Sequence, residues 1–301
     1  MKLRLGERTL ELADGEPVIM GIVNVGRDSV ADSNTFGTLS EQVRFALGLI
    51  DDGAQIIDIG VQSGRTDTPQ ISPQLELERM APLVAELAAA GVLVSVDTWR
   101  SSVAAGAIAA GACLINDTSG LADEDLAVVA AESGAGLVVM HTRARPKEEH
   151  FPGYEEPMTD VLEFLAERTR LALDLGVSPE QLIVDPGPDF AKTPGETISV
   201  LRQLSRLHTL EYPVLLAVSR KYFIGMLTDT APEDRLAGTL AAIEFGLQAG
   251  AHILRVHDVG AVTEFLSVRS ALRDQGVPRF RGDRDEERLK WISPKSTTGA
   301  P

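Results

Sequence analysis

The sequence predicts an α/β fold, a (β/α)8 or TIM barrel preceded by an N-terminal β-hairpin, and three observations carry that prediction. Eight short apolar runs end in polar or glycine-rich turns. Longer stretches of helical periodicity separate them, which is how parallel strands joined by crossover helices read in a sequence. No Gly-x-Gly-x-x-Gly loop is present, and the open doubly wound sheets that carry one usually stop at five or six strands.

Taken in order, residues 1–15 alternate polar and apolar, with Leu3, Leu5, Leu10 and Leu12 placed around Gly6-Glu7. That pattern predicts a hairpin able to close one end of the barrel. Strands are expected at Val18–Val23, Ile56–Ile59, Val92–Val96, Leu114–Ile115, Leu137–Met140, Leu182–Val184, Val214–Val218 and Ile253–Val256. Helices are expected at Ser40–Asp52, Pro73–Ala90, Ser101–Ala110, Asp123–Ser133, Met158–Leu175, Glu196–Leu207, Arg235–Ala249 and Ala261–Gln275. Gly-Ala pairs at 53–54, 111–112, 134–135 and 250–251 precede strands, as a glycine that ends one helix and leads into the next strand would. The barrel is assigned to residues 16–278. Residues 279–301, charged and then rich in Ser, Thr and Pro, are assigned to a flexible tail.

Charge narrows the function. With 28 basic and 44 acidic residues the formal charge is −16, which opposes binding to a nucleic-acid backbone or an anionic membrane. An anionic ligand must then be held by a local pocket. No apolar run reaches membrane-spanning length, and the start Met-Lys-Leu-Arg-Leu-Gly-Glu lacks a signal-peptide core, so a cytoplasmic protein is expected. Cys113, the one cysteine, has no partner for an internal disulfide and reads as a small core hydrophobe. No Cys/His group has zinc spacing.

The stretch from Leu182 to Thr193 organises the functional reading. Leu182, Ile183 and Val184 form a buried strand that stops at Asp185 and a Pro-Gly breaker. A carboxylate at such a tip is costly unless a ligand or neighbour answers it. Alone, Asp185 is equally a turn-forming residue. The pattern recurs, however. Residues just past barrel strands converge on one mouth, and here they are Asn24, Asp58, Asp97, Asn116 with Asp117, His141, Asp185, then Ser219-Arg220-Lys221 and Arg255 with His257 and Asp258. Acids and Asn follow most of the first six strands, and cations follow the last two. That division fits a donor-rich heterocycle at one side and an anion at the other, with Arg255 and His257 beside a helix start that suits phosphate. His141 taken alone fits a satisfied core histidine.

Met20-Gly-Ile-Val-Asn24-Val, Ile57-Asp-Ile-Gly60, Val94-Ser-Val-Asp97-Thr, Ile115-Asn116-Asp117, Met140-His141, Asp185-Pro-Gly, Ser219-Arg-Lys221 with Ile224-Gly225, and Arg255-Val-His257-Asp-Val resemble the successive motifs of the dihydropteroate synthase family. They stand in the family's order over residues 18–275. The resemblance implies a TIM barrel, usually homodimeric, that joins a hydroxymethyl-dihydropterin diphosphate to p-aminobenzoate and releases pyrophosphate with Mg2+. It implies that Asp97, Asn116 and Asp185 hold the pterin with Arg255, and that Lys221 contacts its carbonyl side. It further implies that Asn24 with Mg2+, together with Arg255 and His257, binds the departing pyrophosphate. Mg2+ held mainly by phosphate oxygens and water needs no dedicated protein cage. The p-aminobenzoate positions would be Arg65, Pro188, Phe190 and Tyr222.

Departures from the family pattern fall in the second-substrate region. The first loop, usually Asn-Val-Thr-Pro-Asp-Ser-Phe-Ser-Asp-Gly-Gly, reads Asn24-Val-Gly26-Arg27-Asp-Ser-Val30-Ala-Asp-Ser-Asn34. The second, usually Gly-Gly-Glu-Ser-Thr-Arg-Pro-Gly, reads Gly60-Val-Gln62-Ser63-Gly64-Arg65-Thr66-Asp67. In Asp-Pro-Gly-Phe-Gly-Phe-Gly-Lys the first Phe and the next Gly are Pro188 and Asp189, and the Ser after Ser-Arg-Lys is Tyr222. Loss of a ring removes a stacking surface of about 0.5 to 1.5 kcal/mol, Pro188 stiffens its loop, and Tyr222 is expected to fill the space for the substrate carboxylate. The expectation is therefore a homologue that keeps the pterin pocket, with weak or no synthase activity. Its ligands would be a pterin-like molecule and p-aminobenzoate analogues such as a sulfonamide or sulfone. An active synthase is the first alternative. A methyl-tetrahydrofolate-binding module is the second, although no Asp-x-His-x-x-Gly corrinoid motif follows Asp258.

Overall fold

The polar–apolar alternation at the start of the chain folds as an antiparallel hairpin, β1 (Lys2–Leu5) and β2 (Arg8–Glu11), turned at Gly6. Its inward leucines, Leu3 and Leu5, together with Leu12, join a cluster with Val18, Met20, Ile56, Leu114, Val138, Ile183 and Ile253. The hairpin thus plugs the end of the barrel where the strands begin. Two bonds pin it there, from Gly6 N to Gly134 O at 2.9 Å and from Arg8 Nη1 to Gly91 O at 2.8 Å. The computed structural model describes residues 1–13, 15–25, 37–62 and 68–273. Compact packing divides the chain into Met1–Val262 and Thr263–Pro301, and the hairpin and all barrel strands belong to the first unit.

Eight parallel strands follow: β3 (Val18–Asn24), β4 (Ile56–Gly60), β5 (Leu93–Asp97), β6 (Leu114–Asp117), β7 (Gly136–Met140), β8 (Leu182–Asp185), β9 (Leu215–Leu216) and β10 (Ile253–Val256). Each of β3 to β7 pairs with the next, and β3 and β9 both pair with β10. A single parallel bridge, Val184 to Val214, joins β8 to β9 and completes the ring. The helices are α1 (Leu39–Asp51), α2 (Pro73–Ala89), α3 (Ser101–Ala109), α4 (Asp125–Ser133), α5 (Pro157–Asp174), α6 (Pro194–Arg202), α7 (Tyr222–Thr228), α8 (Leu236–Gln248) and α9 (Val259–Arg273). Local chemistry sets several starts: Thr38 and Thr193 each form a capping box with the Glu three residues on, and Ser72 caps α2 just ahead of Pro73. The predicted (β/α)8 barrel with its hairpin is therefore the observed architecture.

Two expectations need correction. The helix placed at Glu196–Leu207 ends at Arg202 and continues as a 3-10 segment, Leu204–Leu210. The seventh strand is only two residues long, and α7 follows it unforeseen. A seven-residue helix shows too little periodicity to be read from sequence. The tail assigned to 279–301 lies outside the described residues, as does Arg27.

Register decides what the mouth presents. Asn24 pairs with Gly60, Gly60 with Asp97, and Asp97 with Asn116, so these four residues form one row across β3 to β6. Two residues nearer the hairpin end, and so on the same face, Ile22, Asp58 and Ser95 are also in register.

Candidate active site

Asp58 lies at the floor of the mouth, fully buried and fully answered. It accepts from Ser95 Oγ at 2.6 Å, Asn116 Nδ2 at 3.1 Å and Arg255 Nε at 2.7 Å. Arg255 reaches past it to Asp97, with Nη2 2.9 Å from Oδ2. One guanidinium from β10 thereby ties β4 to β5, and the planar fork of Arg suits this double contact. Thr118 Oγ1 donates to the other Asp97 oxygen at 3.4 Å. Burial raises the Asp97 pKa to about 7 against the pull of Arg255, with Asp58 and Glu76 pushing the same way as burial. A Cβ added at Gly60 would lie 3.4 Å from Asn24 Oδ1 and 3.9 Å from Asp97 Oδ2, so a bare glycine keeps the space between two oxygens open.

Across the ring, Asp185 is buried, and its Oδ1 accepts from Gly187 N at 2.7 Å. Burial raises its pKa, while Lys221 and Lys192 oppose the rise. Gly187 is required where it stands: φ is +63°, and an added Cβ would come 2.1 Å from His141 O. Lys221 Nζ sits over the Phe190 ring, 4.3 Å from its centroid. Desolvation lowers the Lys221 pKa, while Asp189, Asp185 and Asp97 support the charge. Ser219 Oγ lies 2.9 Å from His257 Nδ1 and accepts from His257 N at 3.2 Å. Arg220 then forks onto Asp258 at 3.0 and 2.6 Å, locking the two cation-bearing loops together. Beside these groups opens a cavity of about 450 Å3, lined in part by Trp99, Thr118, Asp189, Phe190 and Lys221.

The structure brings Asp97, Asn116, Asp185, Lys221 and Arg255 to one mouth, with Asn24 in the row of Asp97 and His257, just past β10, hydrogen-bonded to Ser219. Arg65 lies outside the described residues. Pro188 is buried within its loop. Phe190 lines the cavity, whereas Tyr222 does not: it opens α7 and is 58% exposed, so it does not fill the carboxylate space as expected. Asp189 has a structural task instead. It accepts from Thr197 Oγ1 at 3.2 Å and from Phe223 N at 3.2 Å, which ties its loop to α6 and to the start of α7.

Sequence reasoning gave no role to two buried groups. Asp58 was visible as an acid enclosed by isoleucines, a pattern that signals an inward charge with fixed partners. Lys192 gave no such signal, because nothing in a lysine's neighbours in sequence shows that it is 2% exposed. His141 is fully buried and fully partnered, between Lys192 Nζ at 2.7 Å and Asp160 Oδ1 at 2.8 Å, as a core histidine would be.

Residues 20–257 match the family model described as pterin binding enzyme. A dihydropteroate synthase of Bacillus subtilis is 40% identical over 261 residues, covering 86% of this chain and 90% of that one. A dihydropteroate synthase of Xanthomonas albilineans, solved with 4-aminobenzoic acid, superposes with a TM-score of 0.83 at 37% identity, covering 92% of this chain and all of that one. The same enzyme in complex with 7,8-dihydropteroate gives 0.81 at 36% identity, again over 92% of this chain and 100% of the other. This likeness to synthases over nearly the whole chain overturns the expectation of a weak or inactive homologue. Of the changes on which that expectation rested, Tyr222 points to solvent and the neighbouring Phe190 keeps a ring on Lys221, while the loop changes at 26–34 and 63–67 lie outside the described residues. By fold, by motif and by relatedness, the chain belongs to the pterin-binding enzyme family and is a homologue of the dihydropteroate synthases.

Proposed function

We propose that the protein is an active dihydropteroate synthase, joining hydroxymethyl-dihydropterin diphosphate to p-aminobenzoate. The observation that carries this reading is the convergence of Asp97, Asn116 and Asp185 with the cations Arg255 and Lys221 at one barrel mouth. The aminopyrimidine edge of a pterin offers N–H donors. Asp97 and Asp185 accept them, Asn116 both gives and accepts, and Lys221 donates to the carbonyl side. The arylamine fits the 450 Å3 cavity against Phe190 and Lys221. Its nitrogen forms a bond to the pterin methylene carbon as the C–O bond to diphosphate breaks. The amine then loses a proton and pyrophosphate departs.

Arg255 engages Asp58 and Asp97 through Nε and Nη2, which leaves Nη1 for a ligand oxygen. Together with His257 it stabilises the leaving charge, an effect worth about 3 to 4 kcal/mol per well-placed group. Asn24 offers a hard oxygen beside the Asp97 carboxylate, a donor type that suits Mg2+. Among the described residues no group of three or more His, Cys, Asp or Glu could hold a metal, so Mg2+ would take its remaining ligands from diphosphate and water and neutralise the leaving group. Sulfonamides and sulfones, as p-aminobenzoate analogues, would compete at the same cavity.

A homodimer is part of this reading. Tyr222, Met226 and Leu227 on α7 and Phe245 on α8 are large apolar side chains left exposed, the kind of surface that an interface covers. The reading also places the enzyme in the cytoplasm; none of the helices searched is long and apolar enough to cross a membrane. The direct test is pyrophosphate release with both substrates and Mg2+. Turnover on the order of 1 per second or faster is expected, and no product at saturating substrates would overturn the assignment.

A further inference from the structure

Lys192 is a buried cation that the proposed chemistry does not use. It ends the segment that starts at Asp185 and passes through Phe190, a segment with three left-handed residues: Gly187 at φ +63°, Asp189 at +64° and Ala191 at +51°. Two of them carry side chains, and such backbone persists only where its surroundings hold it. Lys192 Nζ supplies the hold. It donates to Gly187 O at 2.9 Å, Phe190 O at 3.0 Å and His141 Nδ1 at 2.7 Å, with His141 O further off at 3.4 Å. An ammonium has three protons, and the three short contacts use all of them.

The acceptor on His141 is fixed from behind. With Nδ1 accepting from Lys192, the ring proton sits on Nε2 and is given to Asp160 Oδ1 at 2.8 Å. Arg143 clamps Asp160 through two bonds of 3.0 Å each. A chain of contacts therefore runs from the surface Arg143 through Asp160 and His141 to Lys192, and ends on the backbone of the residues that line the cavity. Asp189, Phe190 and Ala191 line it, while Lys192 does not.

We infer that Lys192 is a positioning residue for the second substrate, shaping the Phe190 side of the cavity through the Gly187 and Phe190 carbonyls while His141 and Asp160 hold the lysine in place. The inference rests on the synthase reading above. Asp185 is held by its place in β8, and Asp97 and Asn116 are on other strands; Lys192 reaches the pterin side only through the Gly187 turn and its charge on Asp185, so that side depends on it less than the Phe190 side does.

The test compares the full-length protein with Lys192→Met, His141→Leu and His141→Asn, measuring steady-state kinetics for p-aminobenzoate and calorimetric affinity for the pterin. Lys192→Met and His141→Leu are expected to raise KM for p-aminobenzoate by about tenfold or more, with kcat and pterin affinity within about threefold of the unchanged protein, the mark of lost binding rather than lost chemistry. His141→Asn retains an acceptor oxygen near the Nδ1 position and is expected to recover most of the loss. An unaltered KM in Lys192→Met overturns this inference alone. So does an equal loss of pterin affinity, kcat and fold, which would make Lys192 a purely structural residue. No pyrophosphate release by the unchanged protein would overturn both this inference and the synthase reading.

Discussion

Arg255 and Asp97 stand 158 residues apart in the chain and meet at 2.9 Å across the barrel mouth, with Asp58 held by the same guanidinium at 2.7 Å. A ligand that engages Asp97 therefore enters an existing charge network. The first prediction concerns that acid. Asp97→Asn keeps the shape but removes the charge, and pterin affinity is expected to fall roughly tenfold to a hundredfold, the range of a hydrogen bond to a charged group. Calorimetry with the pterin reads it directly. Wild-type affinity in this variant would remove Asp97 from the pterin site.

The same residue sets a pH dependence. In the free protein burial raises Asp97 from 3.8 to about 7. Pterin N–H donors favour the carboxylate, so binding lowers this pKa and expels a proton below pH 7. Affinity is then full above pH 7 and falls as the pH drops, being about tenfold weaker at pH 6 than at pH 8. The sign for folding is separate: a raised folded pKa contributes stability that is complete below 3.8 and is lost as the pH rises through 7. Titrating affinity against pH checks the first statement, and the slope should vanish in Asp97→Asn.

Gly187→Ala probes the turn beside Asp185. A left-handed φ costs a side-chain-bearing residue about 1 to 2 kcal/mol, and a Cβ 2.1 Å from His141 O forces backbone to move as well. A lower melting temperature is expected together with a raised KM for p-aminobenzoate. A variant with unchanged kinetics would show that this turn does not shape the cavity.

Leu5→Ala tests the plug at the opposite end. Leu5 is 1% exposed, and its Cδ2 lies 2.7 Å from where a Cβ on Gly136 would be. The substitution is expected to cost about 2 to 5 kcal/mol and to lower the melting temperature by roughly 5 to 15 °C. Turnover at 25 °C should hardly change, because the hairpin touches none of the mouth residues. A large drop in kcat would link the two ends.

What could be read from the chain followed from how local the cause was. Asn24, Asp97, Asn116 and Asp185 were legible because strand endings leave a sequence mark and register places parallel endings side by side. The hairpin was legible from its alternating leucines. Asp58 was visible as an acid among isoleucines, but its partners Asn116 and Arg255 come from distant strands. Lys192 was silent because its burial depends on the fold of a loop. The loop substitutions were misread for a related reason: a changed side chain says nothing about its direction, and Tyr222 faces solvent while Asp189 serves α6 and α7. Helix α7 was too short to leave a period.

The lone bridge between Val184 and Val214, backed by Val184 N to Pro213 O at 2.9 Å, is the thinnest seam in the hoop of strands; β3 and β4 share five register pairs. Asp185 is the next residue after Val184. Asp185 therefore has less strand-to-strand support on that side than Asp97, which is laced between two broader ladders. The narrowest joint of the hoop and an acid of the proposed pterin pocket are thus neighbours in the chain.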